Sequence, residues 1–255
     1  MYDGTFVRTS GPPAGEFDLW CVHGLGEWGL VFAAAFVSGL PRICRVVVPD
    51  MPGCGASLPL DGPATLDRCS AEIERLIDVV SGTRPVALLG HSLGGMVVTQ
   101  VAAALGPRLR FVIDVEGNLT ESDAYFSGLA LRHATAGAYH RDLLERVRSE
   151  MTSGEPGIEQ YIAALVCADP ETLWQLGRSA AERSTPSGAG ADFARLAVPK
   201  SYYYGTRSLS AESQTFLAAQ AIPARPFALL GHWLMVEAPD RFYAAVEEDL
   251  RQSAS

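Results

Sequence analysis

The segment Gly90-His91-Ser92-Leu93-Gly94-Gly95, directly after the apolar run Pro85-Val86-Ala87-Leu88-Leu89, limits what this chain can fold into more than any other stretch. It reads as a strand, a turn too tight for large side chains, and a helix. A serine on such a turn is held in a strained backbone pose with its hydroxyl exposed, and the glycines at 90 and 94 supply the room the turn requires. A hydroxyl is a poor nucleophile at neutral pH. The pattern therefore calls for a histidine to take its proton, a carboxylate to orient that histidine, and two backbone amides to hold an oxyanion.

Apolar runs elsewhere predict strands at 5–8, 19–22, 45–48, 86–89, 111–115, 201–204 and 227–230, and helical spacing predicts helices at 30–38, 66–80, 93–105, 211–221 and 239–251. Strands alternating with helices imply an α/β fold with a mostly parallel sheet covered by helices on both faces. In such sheets, sites form beyond the carboxyl ends of the strands. His232, in Gly231-His232-Trp233, follows the run Phe227-Ala228-Leu229-Leu230 and so is expected at a strand's C-terminal end, where it fits the general base.

These blocks together resemble the serine-nucleophile α/β-hydrolase superfamily over nearly the whole chain. The order Ser92, acid, His232 is the order that family uses, and residues 231–239 resemble its histidine loop. His23-Gly24-Leu25-Gly26 resembles the family's first oxyanion loop, and the resemblance assigns the oxyanion donors to the backbone amides of Leu25 and Leu93. Asp50-Met51-Pro52-Gly53-Cys54-Gly55-Ala56-Ser57 resembles the family's Asp-x-x-Gly-x-Gly-x-Ser loop, a structural marker in which the aspartate braces the loop. His23 and His91 are read in the same way, as loop braces.

The acid departs from the commonest family pattern. That pattern places an aspartate after the strand read at 201–204, but the next residues are Gly205-Thr206-Arg207-Ser208-Leu209-Ser210-Ala211-Glu212. An alternative within the family is a carboxylate after the strand that follows the nucleophile helix, and Phe111-Val112-Ile113-Asp114-Val115-Glu116-Gly117 supplies two candidates. Asp114 and Glu116 share a sheet face by alternation, with Glu116 at the strand's end and Asp114 one residue pair deeper. Position favours Glu116. Glu212 is the runner-up, although it suits the first turn of the helix at 211–221, and Asp114 ranks third as a buried carboxylate holding loop amides.

Residues 120–195 break the alternation, with several helices and no convincing strand. They resemble the family's helical cap, set into a hydrolase core formed by residues 1–119 and 196–255. Residues 184–191, rich in Ser, Gly and Pro, read as a loop or hinge near the cap's end. Trp28 and Trp233 adjoin the reactive loops, and Tyr125 and Trp174 lie in the cap; these four are the candidate substrate-binding residues. His133 and His140 read as surface residues.

Composition narrows the partners. The 255 residues suffice for one domain with a sizeable core, and the net charge of −9 argues against nucleic acid or an anionic membrane surface as the main partner. A small-molecule acyl substrate is expected. The five histidines show no close ligand spacing and no C-x-x-C occurs, so neither a metal nor a cofactor is expected. Five cysteines without framework spacing suggest reduced thiols, with Cys21 and Cys44 in strands and Cys69 and Cys167 in helices. The N-terminus lacks a basic flank and an apolar run, which with the cysteines points to the cytoplasm. The resemblance implies an esterase or thioesterase working through an acyl-enzyme. Lactone or amide cleavage uses the same machinery, and the fold also hosts lyases and ligand-binding members.

Overall fold

The computed structural model describes residues 1–11, 15–150, 156–186 and 188–252. Among the described residues seven strands form one sheet: β1 (Val7–Thr9), β2 (Asp18–Val22), β3 (Arg45–Pro49), β4 (Val86–His91), β5 (Leu109–Val115), β6 (Lys200–Gly205) and β7 (Ala224–Phe227). Their order is β1-β3-β2-β4-β5-β6-β7. Only β1 runs antiparallel, against β3; all other pairings are parallel. Every residue of β2, β3 and β4 is buried, as expected of interior strands sandwiched between helices and therefore apolar without alternation. The mostly parallel sheet flanked by helices is the architecture the alternation implied.

The helices that support the sheet are α1 (Leu66–Ser81), α2 (Leu93–Leu105), α7 (Ala211–Ala219), the short α8 (Leu234–Glu237) and α9 (Pro239–Gln252). Thr65 caps α1 by accepting from the Arg68 amide, and Gly82 ends it with φ 57°. Between β5 and β6 the described residues carry α3 (Ala136–Glu150), α4 (Pro156–Cys167), α5 (Pro170–Ser184), α6 (Gly188–Arg195) and short 3₁₀ turns. Asp169 starts α5 by accepting from the Thr172 amide at 2.8 Å, with Pro170 at the first helical position.

Four expectations need correction. The helix expected at 30–38 is a 3₁₀ segment, Gly29–Val37, broken at Phe32, because its residues are apolar almost throughout and offer no single face to bury. The last strand lies at Ala224–Phe227 and not at 227–230; it is an edge strand, where Pro226 costs no ladder hydrogen bond, and Leu229 turns away at φ 66°. His232 thus sits five residues beyond that strand. Residues 188–191 belong to α6, so the loop read at 184–191 shrinks to the short break after α5; Ser187 within it, like residues 151–155 of the expected cap, lies outside the described residues. Cys44 immediately precedes β3. Cys21, Cys44, Cys54 and Cys69 are buried free thiols and Cys167 is exposed. No helix among the described residues is long and apolar enough to cross a membrane.

Candidate active site

The strand-to-helix turn at Ser92 forms because two glycines let backbone pass backbone. A Cβ on Gly90 would lie 2.2 Å from the Gly94 carbonyl oxygen, and one on Gly94 would lie 2.2 Å from that of Val22. Ser92 itself takes φ 53° and ψ −124°, a left-handed pose that L-residues rarely adopt and that costs on the order of 1–3 kcal/mol. Its amide is anchored to the Val115 carbonyl at 2.8 Å, which pins the turn to the end of β5. Leu93 opens α2, so its N–H has no acceptor within the helix and is left for another partner.

Glu116 leaves β5 with a second non-glycine positive φ, 56°, and its amide donates to the Tyr203 carbonyl at 2.9 Å. The carboxylate is fixed at one oxygen and free to work at the other. Oε1 accepts from the Gly205 amide at 2.5 Å and from the Ser208 hydroxyl at 2.7 Å, while Oε2 lies 3.3 Å from Nδ1 of His232. The last residue of β6 and the loop after it, which lacks the aspartate of the commoner pattern, thus supply the donors that hold Glu116. Asp114 points back into the fold and accepts from the Gly117 amide at 2.9 Å; its full burial holds its pKa well above the usual carboxylate range. Glu212 is exposed in the first turn of α7, whose cap is Ser210. Of the three candidate acids, only Glu116 contacts the His232 ring.

Ser92, Glu116 and His232 line one cavity of about 280 Å³, together with Leu25, Leu93, Trp233, Tyr125, Phe126 and Tyr161. Two expected lining residues are elsewhere. Trp28 faces a separate crevice beside Val31, Gly157 and Tyr161. Trp174 is consumed by the packing of α5, its indole N–H lying 3.1 Å from the Ala130 carbonyl and 3.2 Å from that of His133. Phe126 and Tyr161, from the helical segment, also reach the cavity. Among the described residues no group of histidine, cysteine and carboxylate side chains is arranged to hold a metal.

The bracing residues have definite partners. His23 Nε2 accepts from the Met51 amide at 2.8 Å and its Nδ1 meets the Gly24 carbonyl at 2.9 Å; burial keeps the ring neutral by lowering its pKa. Asp50 accepts from the Gly29 amide at 2.7 Å, the Ala56 amide at 2.9 Å and Arg8 at 2.6 Å. His133 and His140 are half-buried rather than exposed, bonded to Asp142 and to the Leu165 carbonyl, both at 2.8 Å.

One residue was missed altogether. Glu27, four residues past His23, is buried and accepts from the Gly24 amide at 2.6 Å, from His91 Nδ1 at 2.9 Å and from the Trp233 indole at 2.7 Å. Its only signal in the sequence was a carboxylate within an otherwise apolar loop.

With this geometry established, comparison with known proteins is decisive at the level of family. A model described as the alpha/beta hydrolase family matches residues 21–245. The chain belongs to the alpha/beta hydrolase family. Matches to curated relatives are partial: lipase LipV of Mycobacterium tuberculosis is 35% identical over 92 residues, 36% of this chain and 34% of that protein. Polyketide synthase ThaQ of Burkholderia thailandensis is 39% identical over 87 residues, 34% of this chain and 4% of that protein. The chain therefore spans only a minor part of the curated relatives it matches. A thermophilic esterase from Thermogutta terrifontis shares the fold over 98% of this chain and 94% of its own, with a TM-score of 0.77 at 22% identity.

Proposed function

We propose that this member of the alpha/beta hydrolase family cleaves an ester or thioester of a small organic acyl group, with Ser92 as nucleophile, His232 as general base, Glu116 as the acid that orients it, and the Leu25 and Leu93 amides as oxyanion donors. The observation that carries the reading is the 3.3 Å contact between Glu116 Oε2 and His232 Nδ1 at the edge of the cavity that also exposes Ser92. A carboxylate at Nδ1 fixes the tautomer in which Nε2 is free to take a proton.

His232 Nε2 removes the Ser92 proton as Oγ attacks the acyl carbonyl, and the carbonyl electrons move onto oxygen, where the two amides receive them. As the tetrahedral intermediate collapses, the bond to the leaving alkoxide or thiolate breaks and the imidazolium returns its proton to that group. Water then attacks the acyl-Ser92 ester, with His232 again taking and returning the proton, to release the acid. The helical segment at 120–195 acts as a cap: Ser122, Asp123, Tyr125, Phe126, Tyr161 and Ala180 from it line the cavity. Its aromatic face suits an apolar acyl chain, and a volume of about 280 Å³ suits a short one.

Intact mass after treatment with a fluorophosphonate tests the assignment. Single labelling mapped to Ser92, lost in His232→Ala and Glu116→Ala, is the expected result; a folded protein that resists labelling would overturn it.

A further inference from the structure

Three loops must keep register for the chemistry proposed above: the one carrying the Leu25 amide, the turn at Ser92, and the loop carrying His232. One buried side chain touches all three. Glu27 Oε2 accepts from the Gly24 amide at 2.6 Å and from His91 Nδ1 at 2.9 Å, while Oε1 accepts from Trp233 Nε1 at 2.7 Å. His91 immediately precedes Ser92, and its Nε2 lies 3.0 Å from the His232 carbonyl oxygen. Both ring nitrogens of His91 therefore face oxygen acceptors. An imidazole can donate at both only as the imidazolium, so with Glu27 ionised, as its three incoming contacts favour, this accounting makes Glu27–His91 a buried ion pair.

Electrostatics agrees with that accounting. Burial opposes charge on both groups, yet the pairing outweighs it: the Glu27 carboxyl is held down at about 2 and the His91 ring is raised above its ordinary value. The pair also stands against the reacting groups. The His91 and His232 rings have centroids 4.7 Å apart, and a Cβ on Gly24 would lie 3.0 Å from both Glu27 Oε2 and Ser92 Cβ. The Gly24 backbone is thus wedged between the carboxylate and the nucleophile.

We propose that Glu27 is a positioning residue for the reaction at Ser92: through the Gly24 amide, His91 and Trp233 its carboxylate sets the oxyanion loop and the histidine loop in register about the nucleophile turn. The proposal rests on the assignment of Ser92 and His232 above. A carboxylate is required because three donors converge on two oxygens. In Glu27→Gln one amide oxygen can serve Gly24 and His91, but the NH₂ group then confronts the Trp233 N–H, and the charge that keeps His91 a double donor is gone.

The test compares wild type with Glu27→Gln, His91→Gln and the double variant, using p-nitrophenyl butyrate turnover and the rate of Ser92 fluorophosphonate labelling, both normalised to folded protein. Displacing a reacting group by about 1 Å costs about 100-fold, so Glu27→Gln should lower kcat and the labelling rate about 10- to 100-fold while KM stays within threefold. Because both residues act through one device, the double variant should lose no more than the worse single variant. Should Glu27→Gln fail to fold, His91→Gln carries the same expectation, since it cannot bridge Glu27 and the His232 carbonyl. A variant that only melts earlier while its folded fraction keeps wild-type kcat, or losses that multiply in the double variant, overturns the proposal. Absence of Ser92 labelling in the wild type would instead overturn the assignment beneath it.

Discussion

Glu116 and His232, 116 positions apart, meet with Oε2 3.3 Å from Nδ1 because the exit of β5 and the loop beyond β7 reach the same edge of the sheet. The strand between them, β6, ends at Gly205, whose amide holds the other carboxylate oxygen together with the Ser208 hydroxyl of the following loop. The carboxylate is therefore oriented from three successive positions along one sheet edge, which makes its removal a clean test of role.

Glu116→Ala should lower kcat about 10⁴-fold with little change in KM, the loss typical of a triad acid. Asp114→Asn should leave kcat within a few fold, since Asp114 bonds the Gly117 amide and not the His232 ring; Glu212→Ala should be silent in both activity and stability. Steady-state kinetics of the three variants on one ester ranks the candidate acids directly.

Ser92→Ala should abolish fluorophosphonate labelling and lower turnover by about 10³-fold or more, while circular dichroism and the melting temperature remain near wild type. The turn is held by backbone, through the Ser92 amide to the Val115 carbonyl, and the hydroxyl takes no part in that contact.

Gly94→Ala should destabilise severely. Its new Cβ would meet the Val22 carbonyl oxygen at 2.2 Å, and neither β2 nor α2 can retreat without opening the sheet–helix packing. A loss above about 3 kcal/mol, or failure to accumulate as folded protein, is expected in urea titration.

The Glu27–His91 pair predicts a pH window for stability. His91 is raised above its ordinary value of 6.5, so its contribution is fully present below 6.5 and fades as pH climbs through the folded value. Glu27 is depressed from 4.5 to about 2, so its contribution is present above 4.5 and is lost as pH falls toward 2. The difference in urea midpoint between wild type and Glu27→Gln should be greatest between these limits and shrink on either side.

Charge should also govern substrate choice. The described residues lining the cavity include Glu27, Glu116 and Asp123 and no lysine or arginine. An acyl chain ending in a carboxylate meets like charge in a partly desolvated site. The p-nitrophenyl ester of monomethyl succinate should therefore exceed that of succinate in kcat/KM by at least about tenfold.

Much of this site was legible along the chain because its parts are local patterns with local causes. Gly90 and Gly94 announced the turn at Ser92, since only glycine lets β4 and α2 approach so closely, and the apolar run 111–115 ending before Gly117 placed Glu116 at a strand end, on the same face as Asp114. The alternation of apolar strand runs with helical spacing likewise implied a mostly parallel, helix-covered sheet. What failed was also local: Phe227-Ala228-Leu229-Leu230 looked like a strand, but the edge of the sheet accepted Pro226 and moved the pairing three residues earlier.

Tertiary structure alone decided which side chains share a boundary. Trp28 and Trp233 were equal candidates in sequence, yet one faces a separate crevice and the other lines the cavity, because only packing determines which way a loop side chain turns. Glu27 carried almost no signal, since its partners His91 and Trp233 stand 64 and 206 positions away. The sequence by itself determined the order of strands and helices and the turn that exposes Ser92, through backbone constraints that act over a few residues. Folding decided which carboxylate meets His232 and which one locks the loops together, because hydrogen bonds and desolvation depend on distances that no local pattern encodes.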